Sequence, residues 1–196
     1  MNVGGRRNQI LRAAERLLGR YGPSKTTIAD VAREARIGVG SVYLEFPSKE
    51  AIVEELSMAR HLCVLEAMKK AAEPKNGSFR ERLAGIFDAR TAVLLSVADE
   101  GAHACDLVHC MSPAVRVAQA RFVEQERVLV AELLREGARA GEFDAPKPEL
   151  LSRTILRAYV VFSPPSLFAM PRDEVRAALK AMHQLVLSGV LARPAS

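Results

Sequence analysis

The sequence predicts an all-α protein of about nine helices, on three observations. Apolar residues recur at helical rather than alternating spacing. The ten prolines and most of the twelve glycines fall between the periodic stretches. Nowhere do Val, Ile and Thr alternate with polar residues over a bounded run, so no strand is expected. With 49% hydrophobic and 26% charged residues among 196, the composition is that of a folded protein of one or two domains, not of a disordered chain.

Taken in order, Ile10, Leu11, Ala14, Leu17, Leu18 and Tyr21 line one face of a first helix, with the arginines mainly opposite, and Gly22-Pro23 ends it. Ile28, Val31, Ala32 and Ala35 have the i, i+3, i+4, i+7 rhythm of a second helix behind Thr27, whose hydroxyl can cap it together with Asp30. After Arg36-Ile37-Gly38, a third short helix covers Val39 to Phe46. Pro47-Ser48 then opens a long one to about Ala72. Ser78-Phe79-Arg80-Glu81 is a capping box before an apolar stripe of Phe79, Leu83, Ile86, Phe87, Val93, Leu94 and Val97. A shorter helix is expected from His103 to Cys110. Ser112-Pro113 places a cap before a proline suited to the first helical position, and that helix runs to about Ala140, where Gly141 stops it. Beyond a loop from Gly141 to Pro148, two last helices are expected from about Glu149 to Phe162 and from Asp173 to Leu191.

Charge is unevenly placed. The first fifty residues carry nine Lys/Arg against five Asp/Glu, and the remaining chain carries nineteen against eighteen. A basic excess confined to one end favours a polyanion partner such as nucleic acid. No apolar run has the length of a bilayer span, and Met1 to Ile10 contains no hydrophobic signal core, so a cytoplasmic protein without membrane association is expected. Three cysteines, Cys63, Cys105 and Cys110, are an odd number and argue against a disulfide framework.

Thr26 to Phe46 reads as a helix, a three-residue turn and a second helix behind a basic amphipathic helix, which is the layout of a helix-turn-helix. Ile28, Val31, Ala32 and Ala35 pack the pair, Ile37 and Val42 plug its corner, and Val39, Gly40, Ser41, Tyr43 and Leu44 face outward. A helix of this size fits the major groove of DNA. Thr27 and Lys49 stand at or beside helix N-termini, where unpaired N–H groups attract phosphate oxygens. The expected DNA-binding set is therefore Thr26, Thr27, Val39, Gly40, Ser41, Tyr43, Leu44 and Lys49.

The stretch from Arg7 to Leu56, above all TTIADVAREARIGVGSVYLEFPSKEAIVEEL, resembles the DNA-binding domain of the TetR family of bacterial one-component transcription regulators. The matching features are Thr-Ile-Ala-Asp-Val-Ala, Gly40-Ser41-Val42-Tyr43, and Phe46-Pro47-Ser48-Lys49-Glu50 leading into the fourth helix. The resemblance implies a helix-turn-helix DNA-binding domain over 1–48 and a helical ligand-binding and dimerisation domain over 49–196. It also implies a homodimer formed by the last two helices, a palindromic double-stranded DNA operator, and a small apolar or aromatic effector that releases a repressor. Leu151, Ile155, Tyr159, Phe162, Val175, Leu179, Met182, Val186 and Val190 are the expected intersubunit contacts. Cys63, Phe87, Leu94, His103, His109, Met111 and Phe122 are the expected pocket lining. No catalytic residue, metal ligand or cofactor is implied.

Three departures from the family pattern carry physical consequences. Arg36 stands where the turn usually has glycine, so a left-handed backbone there costs on the order of 1 kcal/mol. Gly38 replaces a Ser or Thr cap. Leu44 and Glu45 occupy positions often polar, aromatic or basic, which leaves base readout sparse: Ser41 and Tyr43 offer hydrogen bonds, and Val39 and Leu44 can sense thymine methyl groups. Specificity then leans on DNA shape or on an arm carrying Arg6 and Arg7.

An alternative reading rests on His103 to Met111. If this run is helical, Cys105 and His109 share a face, as do Asp106 and Cys110, and Cys63 or His61 can approach from the fourth helix. Such a cluster suits a thiophilic metal or a redox switch, and equally suits ordinary packing. A helical enzyme using a Cys-His pair would need a low-pKa thiolate, a base and an orienting group, which the spacing does not supply.

Overall fold

A computed structural model describes residues 3–100, 103–109 and 112–190. The helices are α1 (Val3–Tyr21), α2 (Ile28–Glu34), α3 (Val39–Glu45), α4 (Lys49–Ala71), α5 (Phe79–Ala98), α6 (Pro113–Arg139), α7 (Pro148–Ala158), α8 (Ser166–Ala169) and α9 (Arg172–Val190). Short 3₁₀ turns lie at Pro23–Lys25, Pro74–Asn76, Ala104–Leu107 and Tyr159–Phe162, and there is no strand among the described residues. The fold is all-α, as the periodicity predicts.

Two of the expected helices differ from the sequence reading, which does not predict the short α8. The helix expected from His103 to Cys110 is a single 3₁₀ turn, held by Asp106 N–H to His103 O at 3.0 Å and Val108 N–H to Cys105 O at 3.1 Å. Cys110 lies outside the described residues. The helix expected to reach Phe162 leaves the α conformation at Ala158 and tightens over Tyr159–Phe162. Ser163-Pro164-Pro165 explains this, because a residue before proline is driven from the helical region and prolines donate no N–H to the preceding turn.

The chain forms two compact units, Met1–Leu62 with Ser96–Arg121, and Cys63–Leu95 with Phe122–Ser196. In the first, Ile10, Ala14 and Leu18 of α1 meet Val31 and Ala32 of α2, Val42 of α3, and Ile52, Val53 and Leu56 of α4. Leu107, Ala114 and Val115 belong to the same core. Each fully buried aliphatic side chain of this kind contributes roughly 1.5–3 kcal/mol. Arg60 of α4 pairs with Glu15 of α1 at 2.8 Å and with Glu100 at 2.5 Å, tying α4 to its neighbours inside the unit.

In the second unit the core joins Val64, Leu65 and Met68 of α4, Phe87 and Leu94 of α5, Phe122, Val130 and Leu134 of α6, and Ile155, Tyr159, Val175 and Leu187 from the chain's end. Within it lies a buried ion pair. Arg90 donates to Glu126, to Phe162 O at 2.9 Å and to Ser163 Oγ at 2.8 Å, so one guanidinium ties α5 to α6 and to the turn after α7. Tyr159 stacks on Phe87 with ring centroids 3.7 Å apart. Its hydroxyl meets His183 Nδ1 at 2.6 Å, and His183 Nε2 meets Asp88 Oδ1 at 3.0 Å. With the carboxylate accepting from Nε2–H, Nδ1 is left to accept from the phenol.

The apolar stripe of the last helices points into this core. Ile155, Tyr159, Phe162, Val175, Leu179 and Val190 are buried within the subunit, and Leu151, Met182 and Val186 pack against them. This corrects the assignment of the six buried residues as intersubunit contacts, whereas Leu151, Met182 and Val186 are only partly buried: helical periodicity marks an apolar face without saying whose core it serves. The large apolar residues left exposed here are Leu150, Val160, Val161 and Leu185, the last 71% exposed.

Candidate nucleic-acid interface

The helix-turn-helix is built by local hydrogen bonds that its residue types dictate. Thr27 Oγ1 accepts from Asp30 N–H at 3.2 Å, and Asp30 Oδ2 accepts from Thr27 N–H at 3.1 Å and from the Thr27 hydroxyl at 2.6 Å, a reciprocal cap on α2. The Thr27 hydroxyl, followed by its N–H, holds the Asp30 carboxyl below the ordinary value of 3.8. At the other end of α2, Arg36 N–H reaches Arg33 O at 3.1 Å and Ile37 N–H reaches Ala32 O at 3.0 Å. This pair of bonds is the Schellman arrangement, which places a left-handed residue at the corner. Arg36 fills that place with φ 53°, the conformation for which glycine is the unstrained choice. Gly38 caps α3 without a side-chain bond.

Behind this frame, α1 secures the C-terminal ends of both small helices. Gln9 Nε2 donates to Ala35 O at 2.6 Å, and Arg7 Nη1 donates to Glu45 O at 2.7 Å, each satisfying a carbonyl that its helix leaves unpaired. Arg7 also donates to Glu55 of α4 and lies 4.0 Å over the Phe46 ring. Sequence reasoning missed both roles, because their partners stand 26 to 48 residues away. Arg7, expected in an arm ahead of the first helix, stands within α1 and acts as a clasp inside the unit.

The expected contact residues divide into an outer and an inner set. Val42 and Phe46 are buried, and across α3 from them Val39 is 42% exposed, Tyr43 54% and Leu44 80%, with Gly40 exposed and Ser41 half-buried. Thr27 is exposed at the start of α2. Thr26 is 2% exposed and its hydroxyl donates to Gly22 O at 2.9 Å, so this side chain belongs to the interior of the turn. Lys49 is half-buried at the start of α4, its ammonium donating to Pro23 O at 2.9 Å.

Of the expected pocket lining, Phe87, Leu94 and Phe122 come together in the core of the second unit, while Cys63 is exposed. His103 and His109 are half-buried and belong to the first unit, and Met111 lies outside the described residues. His103 Nδ1 meets Asp106 Oδ2 at 3.0 Å. Burial, and secondarily Asp106, pushes the Cys105 thiol above its ordinary value, opposite to the shift that makes a reactive thiolate. Among the described residues no group of three or more His, Cys, Asp or Glu stands where it could hold a metal ion. Nor is any helix among them long and apolar enough to cross a membrane.

A capped helix pair that turns an uncovered helix face outward, in an otherwise helical chain, defines a DNA-binding regulator of the helix-turn-helix class. Residues 10–56 match the model of bacterial regulatory proteins, tetR family. The chain is 30% identical over 152 residues to the HTH-type transcriptional repressor KstR2 of Mycolicibacterium smegmatis, an alignment spanning 74% of this chain and 69% of that one. It is 27% identical over 154 residues to the HTH-type transcriptional regulator TtgR of Pseudomonas putida, spanning 72% and 71%. Its fold matches that of the transcriptional regulator FadR from Bacillus subtilis, solved in complex with stearoyl-CoA, with a TM-score of 0.70 at 20% identity over 93% of this chain and 98% of that one. This chain belongs to the TetR family of transcriptional regulators.

Proposed function

We propose that the protein is a homodimeric repressor that binds a palindromic operator by placing two copies of α3 in successive major grooves and leaves it when a small organic effector binds. The exposed face of Val39, Gly40, Tyr43 and Leu44 opposite the buried Val42 and Phe46 carries this reading. Residues 1–48 serve as the DNA-binding part and 49–196 as the regulatory part. In the contact set, Tyr43 and Ser41 supply hydrogen bonds, Lys49 reaches a backbone phosphate through the ammonium protons that Pro23 O leaves free, and the exposed Thr27 lies against the backbone at the start of α2. Phosphate contacts position the protein without carrying sequence information.

The effector is received in the second unit beside Phe87, Leu94 and Phe122. The FadR structure holding stearoyl-CoA, a long acyl chain on a charged carrier, supports an organic effector with an apolar part for this fold. Its binding shifts the protein between two arrangements by no more than its difference in affinity for them, typically about 1–3 kcal/mol. The outer faces of the last helices, with Leu150, Val160 and Leu185, form the dimer contact, since large apolar residues left exposed there gain most from a second copy. The protein acts in the cytoplasm and turns over no substrate, a reading supported by relatives named as transcriptional regulators.

The test is a genome-wide footprint of the full chain followed by titration of the recovered DNA with Tyr43→Ala. Loss of specific binding with the dimer retained is expected, and unchanged affinity removes Tyr43 from the contact set.

A further inference from the structure

The recognition helix lacks the side chains that read guanine or adenine through two-pronged hydrogen bonds, and Ser41 and Tyr43 offer single bonds only. Its sequence, Val39-Gly40-Ser41-Val42-Tyr43-Leu44-Glu45, contains no Arg, Lys, Asn or Gln. Two-pronged recognition of guanine O6 and N7 uses Arg or Lys, and that of adenine N6 and N7 uses Asn or Gln. What α3 presents instead is Val39 with Tyr43 one turn on, and Leu44, 80% exposed and about 140° round the helix from Val39. Between these, Gly40 leaves open space, since a Cβ built there meets nothing within 4 Å. The one apolar feature on the major-groove edge of a base pair is the C5-methyl group of thymine. Nearby basic side chains, Lys25, Arg33 and Arg36, are exposed but stand outside α3, where their charge serves the sequence-independent attraction to phosphate.

We infer that the operator is selected by thymine methyl groups read by Leu44 and, separately, by Val39, so that each half-site carries thymine where either side chain meets the groove. The inference rests on the docking of α3 in the major groove proposed above.

The test uses the full-length protein and the tightest duplex that it selects from a random pool. That duplex is remade with deoxyuridine for thymidine, which deletes only the methyl group, and separately with 7-deazaguanine, which deletes the N7 acceptor. Deoxyuridine should weaken binding by about fourfold per methyl lost and by about 15-fold for the symmetric pair. The 7-deazaguanine duplex should bind within about twofold of the unmodified one, and Leu44→Ala, folded by circular dichroism, should lose most of the discrimination between thymine and uracil. Indifference of the wild-type protein to uracil overturns the proposal, as does a larger loss with 7-deazaguanine or discrimination retained by both Leu44→Ala and Val39→Ala. Selection of a duplex without a uracil effect removes this proposal alone, whereas selection of no duplex at all removes the DNA docking on which it rests.

Discussion

Arg7 and Glu55, 48 residues apart, hold each other across α1 and α4: Arg7 Nε donates to Glu55 Oε1 at 3.1 Å while Nη1 of the same guanidinium donates to the Glu45 carbonyl at 2.7 Å. The carbonyl that ends the recognition helix is therefore fixed to the start of α4 through one side chain. Both partners are more than a third exposed, so water screens the pair, and Arg7→Ala should cost only about 1 kcal/mol in urea unfolding, the stacking on Phe46 included. Operator affinity should fall with the salt dependence unchanged, because Arg7 holds α3 and not a phosphate. A salt slope lower by about one would return Arg7 to the DNA arm.

Arg36→Gly should stabilise the protein. The left-handed φ of 53° costs a Cβ-bearing residue about 1–2 kcal/mol, and the greater freedom of glycine in the unfolded chain returns part of that, leaving a gain of about 0.5–1 kcal/mol. Chemical denaturation measures it. A loss of stability would show that the guanidinium makes a compensating contact.

The cap of α2 sets a pH dependence with a definite sign. The Asp30 carboxyl titrates below 3.8 in the folded protein because the Thr27 hydroxyl and N–H donate to its charged form. A folded value below the unfolded one gives stability that is present above about pH 3.8 and is lost as pH falls through the folded value. Asp30→Asn should therefore be less stable than the wild type near neutrality, and the gap should close in acid. An equal gap at both pH values contradicts this assignment.

The buried Arg90–Glu126 pair should show strong coupling. Burial raises the Glu126 carboxyl and the neighbouring guanidinium opposes that shift. Arg90→Met leaves the carboxylate unpaired in the core and also frees Phe162 O and Ser163 Oγ, for a loss of about 3–5 kcal/mol. Adding Glu126→Leu should recover much of the loss in thermal unfolding, and simple additivity of the two changes would show that the pair does not act as a unit.

Much of the first unit was legible in the sequence because its signals are local. Thr27 with Asp30 marks the start of α2, the arginine at 36 sits at the left-handed corner, and Ser48 caps α4 by accepting from Ala51 N–H at 3.2 Å, as residue type and spacing foretell. What escaped depends on partners distant in the chain. Gln9 gives no sign that it reaches Ala35 O, and Lys49 none that it folds back onto Pro23 O. Thr26 and Thr27 are adjacent and chemically alike, yet one is buried and one exposed. The apolar residues of α7 and α9 showed their periodicity plainly, but the same stripe suits a subunit's own core or a partner's surface, and Ile155 and Leu179 went to the former.

The most direct test of the paired recognition helices is the affinity of the full chain, by fluorescence anisotropy, for palindromic duplexes that differ only in the distance between half-sites. Tight, salt-sensitive binding when the half-site centres lie one helical turn apart, roughly 34 to 36 Å, and its loss when half a turn is inserted, is the expected result. Equal affinity at both spacings would contradict two copies of α3 acting together on one face of the duplex.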